Sequence, residues 1–565
     1  MTAVLLAECQ STPERPAVPV ETRPESLQVA LAGPIEGILS DYQRKDAPGV
    51  VVGVIRDGTA LYSKGHGMAD LEAGIPLTAD SVFDIASVAK QFTGMAIAML
   101  IEEGSVSLDE SITHYLDNLP AFCEAIKVRH LLDHSSGLRD WPGALILGGL
   151  RLEDSISLDD VLSFVRNQES GNFSPGDDSL YSSTGYNLLA QIVEEVSGET
   201  FTDWIDRRLF EPLRMNHSFF HDDTRRIIPQ RVHSYFGSRE KGFRNLGNQL
   251  TAVGSSSLYA TMNDLLKWMD HLGDPKLVTK GALFDLLVDE SSVENERIEY
   301  EFGFMVGSYR GSKQLFHGGA WAGFQTFVVY FPKLKLGVAV LTNLVSTKAE
   351  NIAYQVVDLF LADGFPPRKI SNNVPKFESL KPGNVTVSAT GKWTGEYQTD
   401  DPENKRLRFV ELNGSPVIEI DSRTPITLAA ETELSYFNKE EYVYVEFSTE
   451  FVGWPRIVNL TSGSSKITAT EVFETTSDYL HAFEGVYFSN ELKTHYRIET
   501  DADQLVAVHH RLGPTRFEPT GKDQFISKTW FWKQVEFKRD SRGKVFSLEV
   551  TQSKNRKIVF SKQTR

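Results

Sequence analysis

The sequence predicts an α+β domain, an antiparallel sheet flanked by helices, followed by two small antiparallel β-barrel domains. The chain has 565 residues, which is too many for one ordinary hydrophobic core. Its first part has strand patterns at both ends and helical patterns between them, as expected when both ends of a domain build one sheet. After a proline-rich stretch, short alternating segments such as Glu441–Phe447 indicate all-β domains.

Changes in composition along the chain place the domain boundaries. Four prolines among polar residues in 11–24 are typical of a disordered tail, and the prolines from Pro366 to Pro382 mark a linker. We therefore expect a tail at 1–27, the α+β domain at 28–368, the linker at 369–385, and the two barrels at 386–480 and 481–565.

Within the α+β domain, local patterns predict the individual elements. Asp57-Gly58 is a dipeptide that favours a tight hairpin between two strands. Apolar residues at helical spacing predict helices after Ser87, which Gly104 closes, and near 188–196 and 350–361. Strands are predicted at 49–55, 60–64, 302–309, 314–317, 324–331 and 337–341.

The β region contains a weak internal repeat. Thr394-Gly395-Glu396-Tyr397 and Glu484-Gly485-Val486-Tyr487 are each followed by a polar turn and another strand-like segment. Two such copies predict two barrels in tandem. The alternative is a coincidence of Gly-x-Tyr inside one larger β domain.

Charge and cysteine content argue against several classes of function. Lys and Arg number 58 against 76 Asp and Glu, a net charge of −18, which argues against a nucleic-acid partner. Cys9 and Cys123 are the only cysteines, so no disulfide framework is expected. No zinc-ligand spacing is present, and we expect neither metal nor cofactor. No apolar run reaches the ~18 residues that a transmembrane segment needs.

The first residues leave the compartment open. Met1 to Ser11 resemble the end of a bacterial lipoprotein signal that would place a lipid on Cys9. A basic n-region is missing, however, and Glu8 stands where a small residue is expected. A disordered tail is the favoured alternative, and the bacterial cytoplasm, the periplasm and secretion all stay open.

Ser87-Val88-Ala89-Lys90 is the candidate catalytic motif. Ser87 follows an apolar segment and precedes a helical pattern, so residues i and i+3 face the same side. A serine hydroxyl becomes a good nucleophile when a neighbouring base takes its proton, and a partly desolvated Lys90 can serve.

The segment Phe83–Thr93 resembles the first motif of the serine β-lactamase and penicillin-binding-protein superfamily. More narrowly, it is similar to the branch of class C β-lactamases, D-aminopeptidases and related carboxylesterases. The resemblance continues, in the family's order, at Val128–Leu138, Phe173–Gly176, Tyr181–Tyr186 and His317-Gly318-Gly319. It covers roughly residues 30–362, and the layout with two barrels is most like that of D-aminopeptidase.

This resemblance implies an acyl-enzyme mechanism. Ser87 would attack a carbonyl while Lys90 and Tyr181 take its proton, with Lys90 favouring a phenolate on Tyr181. Tyr181 would return a proton to the leaving group. The backbone N–H groups of Ser87 and Ala320 would hold the oxyanion.

Two substrate-binding positions depart from the family pattern. Ser183 stands where many members have Asn, which offers both a donor and an acceptor to an amide. His317 stands where β-lactamases have the lysine of Lys-Thr-Gly, and a neutral histidine offers no cation to a substrate carboxylate. Nearby, Gly319 would let a substrate backbone lie along the strand, and Trp321 would line the acyl pocket.

Together these features predict a serine hydrolase that works through a Ser87 acyl-enzyme. The resemblance implies a D-aminopeptidase-like peptidase or amidase that acts on small molecules or short peptides with a free amino end, and whose site is narrowed by a barrel loop. Alternatives are a carboxylesterase of the same branch, a β-lactamase or D,D-carboxypeptidase, and a non-catalytic ligand-binding or scaffold member. Intact Ser87, Lys90 and Tyr181 weigh against the last. A homo-oligomer stays open.

Overall fold

The computed structural model describes most of the α+β region and most of both β regions. The described ranges are 24–289, 298–361, 380–382, 393–399, 405–421, 425–448, 457–462, 465–472 and 476–563. The lipoprotein-like segment around Cys9 lies outside them, as do most of the predicted tail and most of the predicted linker. At the end of the predicted tail a helix begins at Pro24.

One antiparallel sheet, built from both ends of the α+β domain, forms its centre. Seven strands pair in the order β12-β13-β14-β15-β16-β1-β2, so the first and last strands of the domain meet inside the sheet as the sequence predicts. The strands of this domain are β1 (Val50–Arg56), β2 (Thr59–His66), β3 (Met68–Asp70), β4 (Ile75–Pro76), β5 (Phe83–Asp84), β6 (Ile156–Ser157), β7 (Phe219–Phe220), β8 (Ser234–Ser238), β9 (Gly242–Leu246), β10 (Leu250–Thr251), β11 (Leu258–Ala260), β12 (Glu299–Glu301), β13 (Phe304–Tyr309), β14 (Ser312–Trp321), β15 (Phe324–Phe331) and β16 (Leu336–Thr342).

Helices cover both faces of this sheet. The helices are α1 (Pro24–Ile38), α2 (Lys90–Glu102), α3 (Val128–Leu132), α4 (Trp141–Leu147), α5 (Leu158–Asn167), α6 (Ser183–Ser197), α7 (Phe201–Ile205), α8 (Glu211–Leu213), α9 (Met262–Gly273), α10 (Ala282–Val288), α11 (Ala349–Phe360) and, between the barrels, α12 (Ser477–His481). None of the helices in the described ranges combines the length and the apolar character that a bilayer crossing requires.

The alternation of side chains in β1 explains why both faces are covered. Val51 and Ile55 join the hydrophobic cluster on the side of α2 and α9, whereas Val50, Val52 and Val54 join the cluster on the side of α11. Successive residues of a strand point to opposite faces, so an uninterrupted apolar strand needs a cover on each side.

The first C-terminal barrel is a nine-stranded antiparallel sheet whose two edges nearly meet. Its strands are β17 (Gly395–Thr399), β18 (Arg406–Leu412), β19 (Ser415–Ile420), β20 (Ile426–Thr427), β21 (Ala429–Ala430), β22 (Ser435–Asn438), β23 (Val443–Ser448), β24 (Ile457–Ser462) and β25 (Ser465–Val472). The edge strands β20 and β21 are separated in the chain by Leu428 alone. Its N–H donates to the carbonyl of Pro416 at 2.8 Å, so the chain itself joins the two edges.

The second barrel is closed and has eight strands, with β33 paired back onto β26. They are β26 (Gly485–Ser489), β27 (Thr494–Asp501), β28 (Gln504–Val508), β29 (Thr515–Gly521), β30 (Gln524–Ile526), β31 (Gln534–Arg539), β32 (Val545–Thr551) and β33 (Ile558–Lys562). The prediction of two barrels after an α+β domain is confirmed.

The internal repeat has a structural meaning. Tyr397 and Tyr487 are both fully buried at the first strand of their barrels. Each hydroxyl donates to the carbonyl four residues earlier, Tyr397 to Trp393 at 2.7 Å and Tyr487 to Phe483 at 2.6 Å. The Gly-x-Tyr sequence therefore begins each barrel in the same way.

The second barrel shares a hydrophobic cluster with the α+β domain. Trp141 and Leu147 of α4 pack in one cluster with Tyr496 and Trp532 of the barrel. The Tyr496 hydroxyl also donates to the carbonyl of Leu147 at 2.9 Å. Because this contact is apolar and buried, it fixes the second barrel next to α4.

Candidate active site

Ser87 lies on a tight turn that the central sheet holds in place. Ala86 has φ of +50°, a left-handed conformation that costs a residue with a side chain about 1–2 kcal/mol. The Asp84 carboxylate accepts the N–H of Ala86 at 2.8 Å, and the Thr326 hydroxyl donates to the carbonyl of Ile85 at 2.8 Å. The surrounding structure thus maintains a strained turn directly before the candidate nucleophile.

Lys90 and Ser87 face each other as their spacing predicts. Residues Ala86–Ala89 form a 3₁₀ turn, and α2 begins at Lys90. The Lys90 ammonium group, fully buried, lies 3.2 Å from Ser87 Oγ and donates to the carbonyl of Ser255 at 2.7 Å. Burial, and secondarily the charge of Lys554, hold the pKa of Lys90 well below the usual value for lysine. Lys90 can therefore lose its proton and act as a base.

Tyr181 lies beside the same pair, but its proton is held tightly. Its ring centroid is 4.9 Å from Lys90 Nζ and 4.4 Å from Lys554 Nζ. Burial raises the pKa of Tyr181 well above 10, and only the neighbouring Ser87 side chain lowers it. That hydroxyl pair is a close approach rather than a well-formed hydrogen bond, because Tyr181 Oη has no partner of good geometry in the described part of the chain. Burial thus favours the protonated phenol of Tyr181 before substrate binds, against the phenolate that the resemblance implies.

His317 lies in a cluster of rings with Tyr181 and Tyr300. It is 1% exposed, Tyr300 Oη lies 2.9 Å from its Nε2, and its Nδ1 lies 2.6 Å from the carbonyl of Gly318. Burial, followed by the charge of Lys90, lowers the pKa of His317 to about 3. His317 is therefore neutral at pH 7, and both of its nitrogens already have neighbours within the protein.

The strand that carries His317 approaches the nucleophile turn very closely. A Cβ at Gly319 would lie 2.2 Å from Thr326 Oγ1 and 2.4 Å from the carbonyl of Ile85. Gly319 is thus required for contact between β14 and the turn, a reason other than the substrate contact that the sequence suggested. Beyond Phe316, β14 pairs with β15 and no longer with β13, so Ala320 lies on a stretch with an open edge.

A cavity of about 350 Å³ opens on Ser87. Ser183, Ala320 and Trp321, three of the five predicted substrate-binding residues, line it, whereas His317 and Gly319 are not among its lining residues. The lining residues are Ser87, Trp141, Pro142, Leu152, Ser183, Leu246, Leu250, Ser255, Ser256, Ala320, Trp321, Ala322, Gly323, Gln325, Val345, Trp530 and Lys554.

A buried polar chain links the cavity wall to the nucleophile turn. The indole N–H of Trp321 donates to Asn248 Oδ1 at 3.0 Å, and Asn248 Nδ2 donates to Asp84 at 2.8 Å. Burial raises the pKa of Asp84 to about 6. Asn248 was not singled out from the sequence, because an asparagine in a polar loop carries no distinguishing pattern.

Two residues of the cavity wall come from the second barrel. Trp530 and Lys554 lie on its loops, and the Lys554 ammonium group lies 3.6 Å from the Asp140 carboxylate. Neither residue was singled out from the sequence. The one available signal was the basic run Lys554-Asn555-Arg556-Lys557 in a chain of net charge −18.

The two histidines of the α3 region are engaged with backbone groups. His130 Nδ1 accepts the N–H of Lys127 at 3.1 Å, and His134 Nδ1 accepts the N–H of Ser182 at 3.3 Å. Within the described ranges, no three His, Cys, Asp or Glu side chains are grouped as metal ligands would be.

Comparison with known proteins adds the family. A family model described as Beta-lactamase matches residues 35–361. Penicillin-binding protein 4* of Bacillus subtilis is 26% identical over 413 residues, 69% of this chain and 88% of that protein. The D-aminopeptidase of Brucella anthropi is 26% identical over 359 residues, 64% of this chain and 65% of that enzyme. The match thus spans slightly less than two thirds of this D-aminopeptidase.

Solved structures agree with the fold. The octameric penicillin-binding protein homologue from Pyrococcus abyssi aligns with a TM-score of 0.55 at 23% identity, covering 77% of this chain and 99% of that one. The D-amino acid amidase from Ochrobactrum anthropi SV3 aligns with a TM-score of 0.50 at 22% identity, covering 59% of this chain and 99% of that one.

Proposed function

Because this chain belongs to the Beta-lactamase family and is a serine hydrolase, we propose that it cleaves small D-amino-acid amides and peptides through an acyl-enzyme on Ser87. The observation that carries the proposal is the 3.2 Å approach of Lys90 Nζ to Ser87 Oγ beside a cavity of about 350 Å³. Cavities of this size suit small ligands. The D-aminopeptidases among its relatives support amides of D-amino acids as the substrate class.

The pKa directions of Lys90 and Tyr181 support the following proton transfers. Ser87 Oγ attacks the carbonyl carbon and gives its proton to the neutral amine of Lys90, while the N–H groups of Ser87 and Ala320 hold the oxyanion. Tyr181, still protonated, gives its proton to the leaving amine and recovers one from Lys90. Water then cleaves the Ser87 ester, and Ser87 regains its proton.

A free amino end on the substrate is the finer part of this proposal. It is supported by the D-aminopeptidase relatives. The test compares D-alanine p-nitroanilide with its N-acetyl derivative. Equal turnover of the two would remove the preference for a free amino end.

The main test is hydrolysis of D-alanine p-nitroanilide against the L-enantiomer. We expect faster cleavage of the D-compound, and loss of at least about 10³-fold in kcat on Ser87→Ala. Intact-mass measurement after fluorophosphonate treatment provides the control, with an adduct on the wild type and none on Ser87→Ala. Unchanged turnover by Ser87→Ala would contradict the proposal.

A carboxylesterase is the second candidate, favoured by Ser183. This residue lines the cavity beside Ser87 and offers a hydroxyl where Asn would offer a donor and an acceptor to an amide. Hydrolysis of short acyl esters without any turnover of D-amides would make the esterase the better assignment.

Self-association is a further part of the proposal, supported by the octameric homologue. Light scattering of the full chain after gel filtration tests it. A single species of 63.2 kDa at all concentrations would contradict it.

A further inference from the structure

We propose that Lys554 of the second barrel binds a carboxylate of the substrate, so that short peptides with a free carboxyl end are preferred over their neutral amides. The inference rests on the proposed function and makes its substrate class narrower. It assigns to the second barrel the cation that β14 does not supply.

Lys554 is placed where a bound substrate would meet it. Its side chain lines the same cavity as Ser87, and its ammonium group lies 4.4 Å from the ring centroid of Tyr181. The side chain is 40% exposed, so it remains open to the cavity. A small molecule whose carbonyl lies at Ser87 can therefore reach this cation with a second group.

The loop that carries Lys554 is fixed by buried hydrogen bonds on both sides of it. Asn555 accepts the N–H of Asp140 at 2.7 Å and donates to its carbonyl at 3.0 Å. Gln552 donates to the carbonyl of Gly143 at 3.1 Å, and Asn172 donates to the carbonyl of Lys554 itself at 3.2 Å. Both Gln552 and Asn555 are at most 5% exposed. The backbone at Lys554 is thus held while its side chain can adjust to a ligand.

The ammonium group has capacity for a ligand. Its nearest carboxylate oxygen, Asp140 Oδ2, is 3.6 Å away, while Oδ1 of the same carboxylate accepts the N–H of Ser183 at 2.6 Å. A lysine ammonium carries three donors, and 3.6 Å is too long for a well-formed charge-assisted hydrogen bond. In the described ranges no hydrogen bond of this ammonium group is found, so its N–H groups can donate to a substrate carboxylate.

No other side chain in the cavity wall supplies a positive charge for this task. The wall contains Lys554 as its one Lys or Arg among the described residues. His317 is buried, neutral and bonded to Tyr300, while Lys90 is buried against Ser87 and Ser255. A carboxylate in this cavity is therefore directed to the second barrel.

Equilibrium binding tests this inference without hydrolysis. The probes are D-alanyl-glycine and D-alanyl-glycinamide, which differ by one charge, titrated into the full-length Ser87→Ala protein. A hydrogen-bonded charge contributes about tenfold or more, so we expect the carboxylate to bind at least about tenfold more tightly. Adding Lys554→Gln should bring the ratio to about one. Adding Lys557→Gln, an exposed lysine of the same loop, should leave it unchanged.

Three results would overturn the inference: equal affinity for both probes in Ser87→Ala, a ratio that survives Lys554→Gln, or no binding of either probe. Lys554→Arg, which keeps the charge, should retain most of the preference. Turnover of the same probes by wild type is measured separately. Absence of turnover with the binding ratio intact would contradict the proposed function and leave the role of Lys554 standing.

Discussion

The two C-terminal barrels begin alike but relate differently to the cavity. Each starts with a Gly-x-Tyr strand whose buried tyrosine donates to the carbonyl four residues earlier. The second barrel then supplies Trp530 and Lys554 to the cavity wall, whereas none of the lining residues belongs to the described part of the first barrel. Two barrels that begin in the same way can therefore contribute differently to function, because the contribution depends on which loops face the neighbouring domain.

The contacts of the second barrel explain its role. A buried ion pair joins Arg139 to Glu491 at 2.7 Å, with side chains only 3% and 7% exposed. Asn555 and Tyr496 add hydrogen bonds to Asp140 and Leu147. The structure thus indicates that the second barrel is part of the active-site architecture rather than an attached module.

The largest expected effect is on Glu491→Ala. Removing one partner of a buried pair leaves Arg139 with an uncompensated charge, so we expect the free energy of unfolding to fall by about 3–5 kcal/mol. Burial raises the pKa of Glu491 to about 7, above its unfolded value of 4.5, so the charged pair contributes least at pH 8 and the loss measured by urea denaturation should grow as pH falls from 8 towards 5. The matched control is Glu419→Ala in the first barrel, which breaks an exposed pair with Arg408 and should cost under about 1 kcal/mol. Equal losses of stability in the two variants would show that the buried pair contributes no more than the exposed pair.

The next effect is on Asn555→Ala. This change leaves the buried N–H of Asp140 without its partner and removes one of two donors to its carbonyl, which should cost about 2 kcal/mol and lower kcat/KM as the Lys554 loop loosens. Asn438→Ala, at the end of β22 in the first barrel, removes exposed hydrogen bonds to Thr427 and Glu441 and should cost less. Activity should be unchanged in Asn438→Ala. An equal loss of kcat/KM in this variant would contradict a particular role of the Lys554 loop in activity.

Histidine protonation should lower the folding stability through residues outside the first barrel, which has no histidine between residues 386 and 480. In the second barrel, burial and the neighbouring His510 lower the pKa of His509 to about 4. Because the folded pKa lies below the unfolded value of 6.5, the unfolded chain binds a proton that the folded chain does not. Stability should therefore fall as pH drops from 6.5 towards 4, with a slope of at most about 1.4 kcal/mol per pH unit from this residue.

Thermal unfolding of His509→Gln between pH 7 and pH 4 measures that contribution. The acid slope should flatten relative to wild type, while the exposed His114→Gln should keep it. An unchanged slope in His509→Gln would place the acid sensitivity elsewhere.

The smallest effect is expected from Tyr397→Phe and Tyr487→Phe. Each loses one hydrogen bond from a buried hydroxyl, at about 1 kcal/mol, and should leave kcat/KM unchanged. Denaturation of the two variants side by side checks whether the repeat is energetically equivalent in the two barrels. A much larger loss for one tyrosine would show that its barrel depends on it differently.

Much of the fold could be predicted because its signals are local. Asp57-Gly58 predicted the β1–β2 hairpin, and both residues have positive φ there. The predicted strand at 314–317 extends over Ser312–Trp321, because pairing with β15 continues past the apolar residues. The strained Ala86 and the 3₁₀ turn before α2 could not be predicted, since contacts from Asp84 and Thr326 impose them.

The protonation of the site also depends on burial. The sequence placed Lys90 and Tyr181 together and expected a phenolate, as an exposed pair would favour. In the folded chain the Lys90 side chain is fully buried and the Tyr181 hydroxyl oxygen is shielded from solvent, so desolvation opposes the charged form of each, which raises the pKa of Tyr181 and lowers that of Lys90.

The sequence alone determined the α+β sheet, the two barrels and the candidate Ser87–Lys90 pair, because hydrophobic period, turn residues and i, i+3 spacing are properties of adjacent residues. Only the tertiary structure decided that Lys554 faces the same cavity as Ser87. The position of that cation depends on Arg139–Glu491, on the Asn555 hydrogen bonds and on a cluster shared between domains. Contacts between residues so far apart in the chain produce no local pattern that could be recognised in a single sequence.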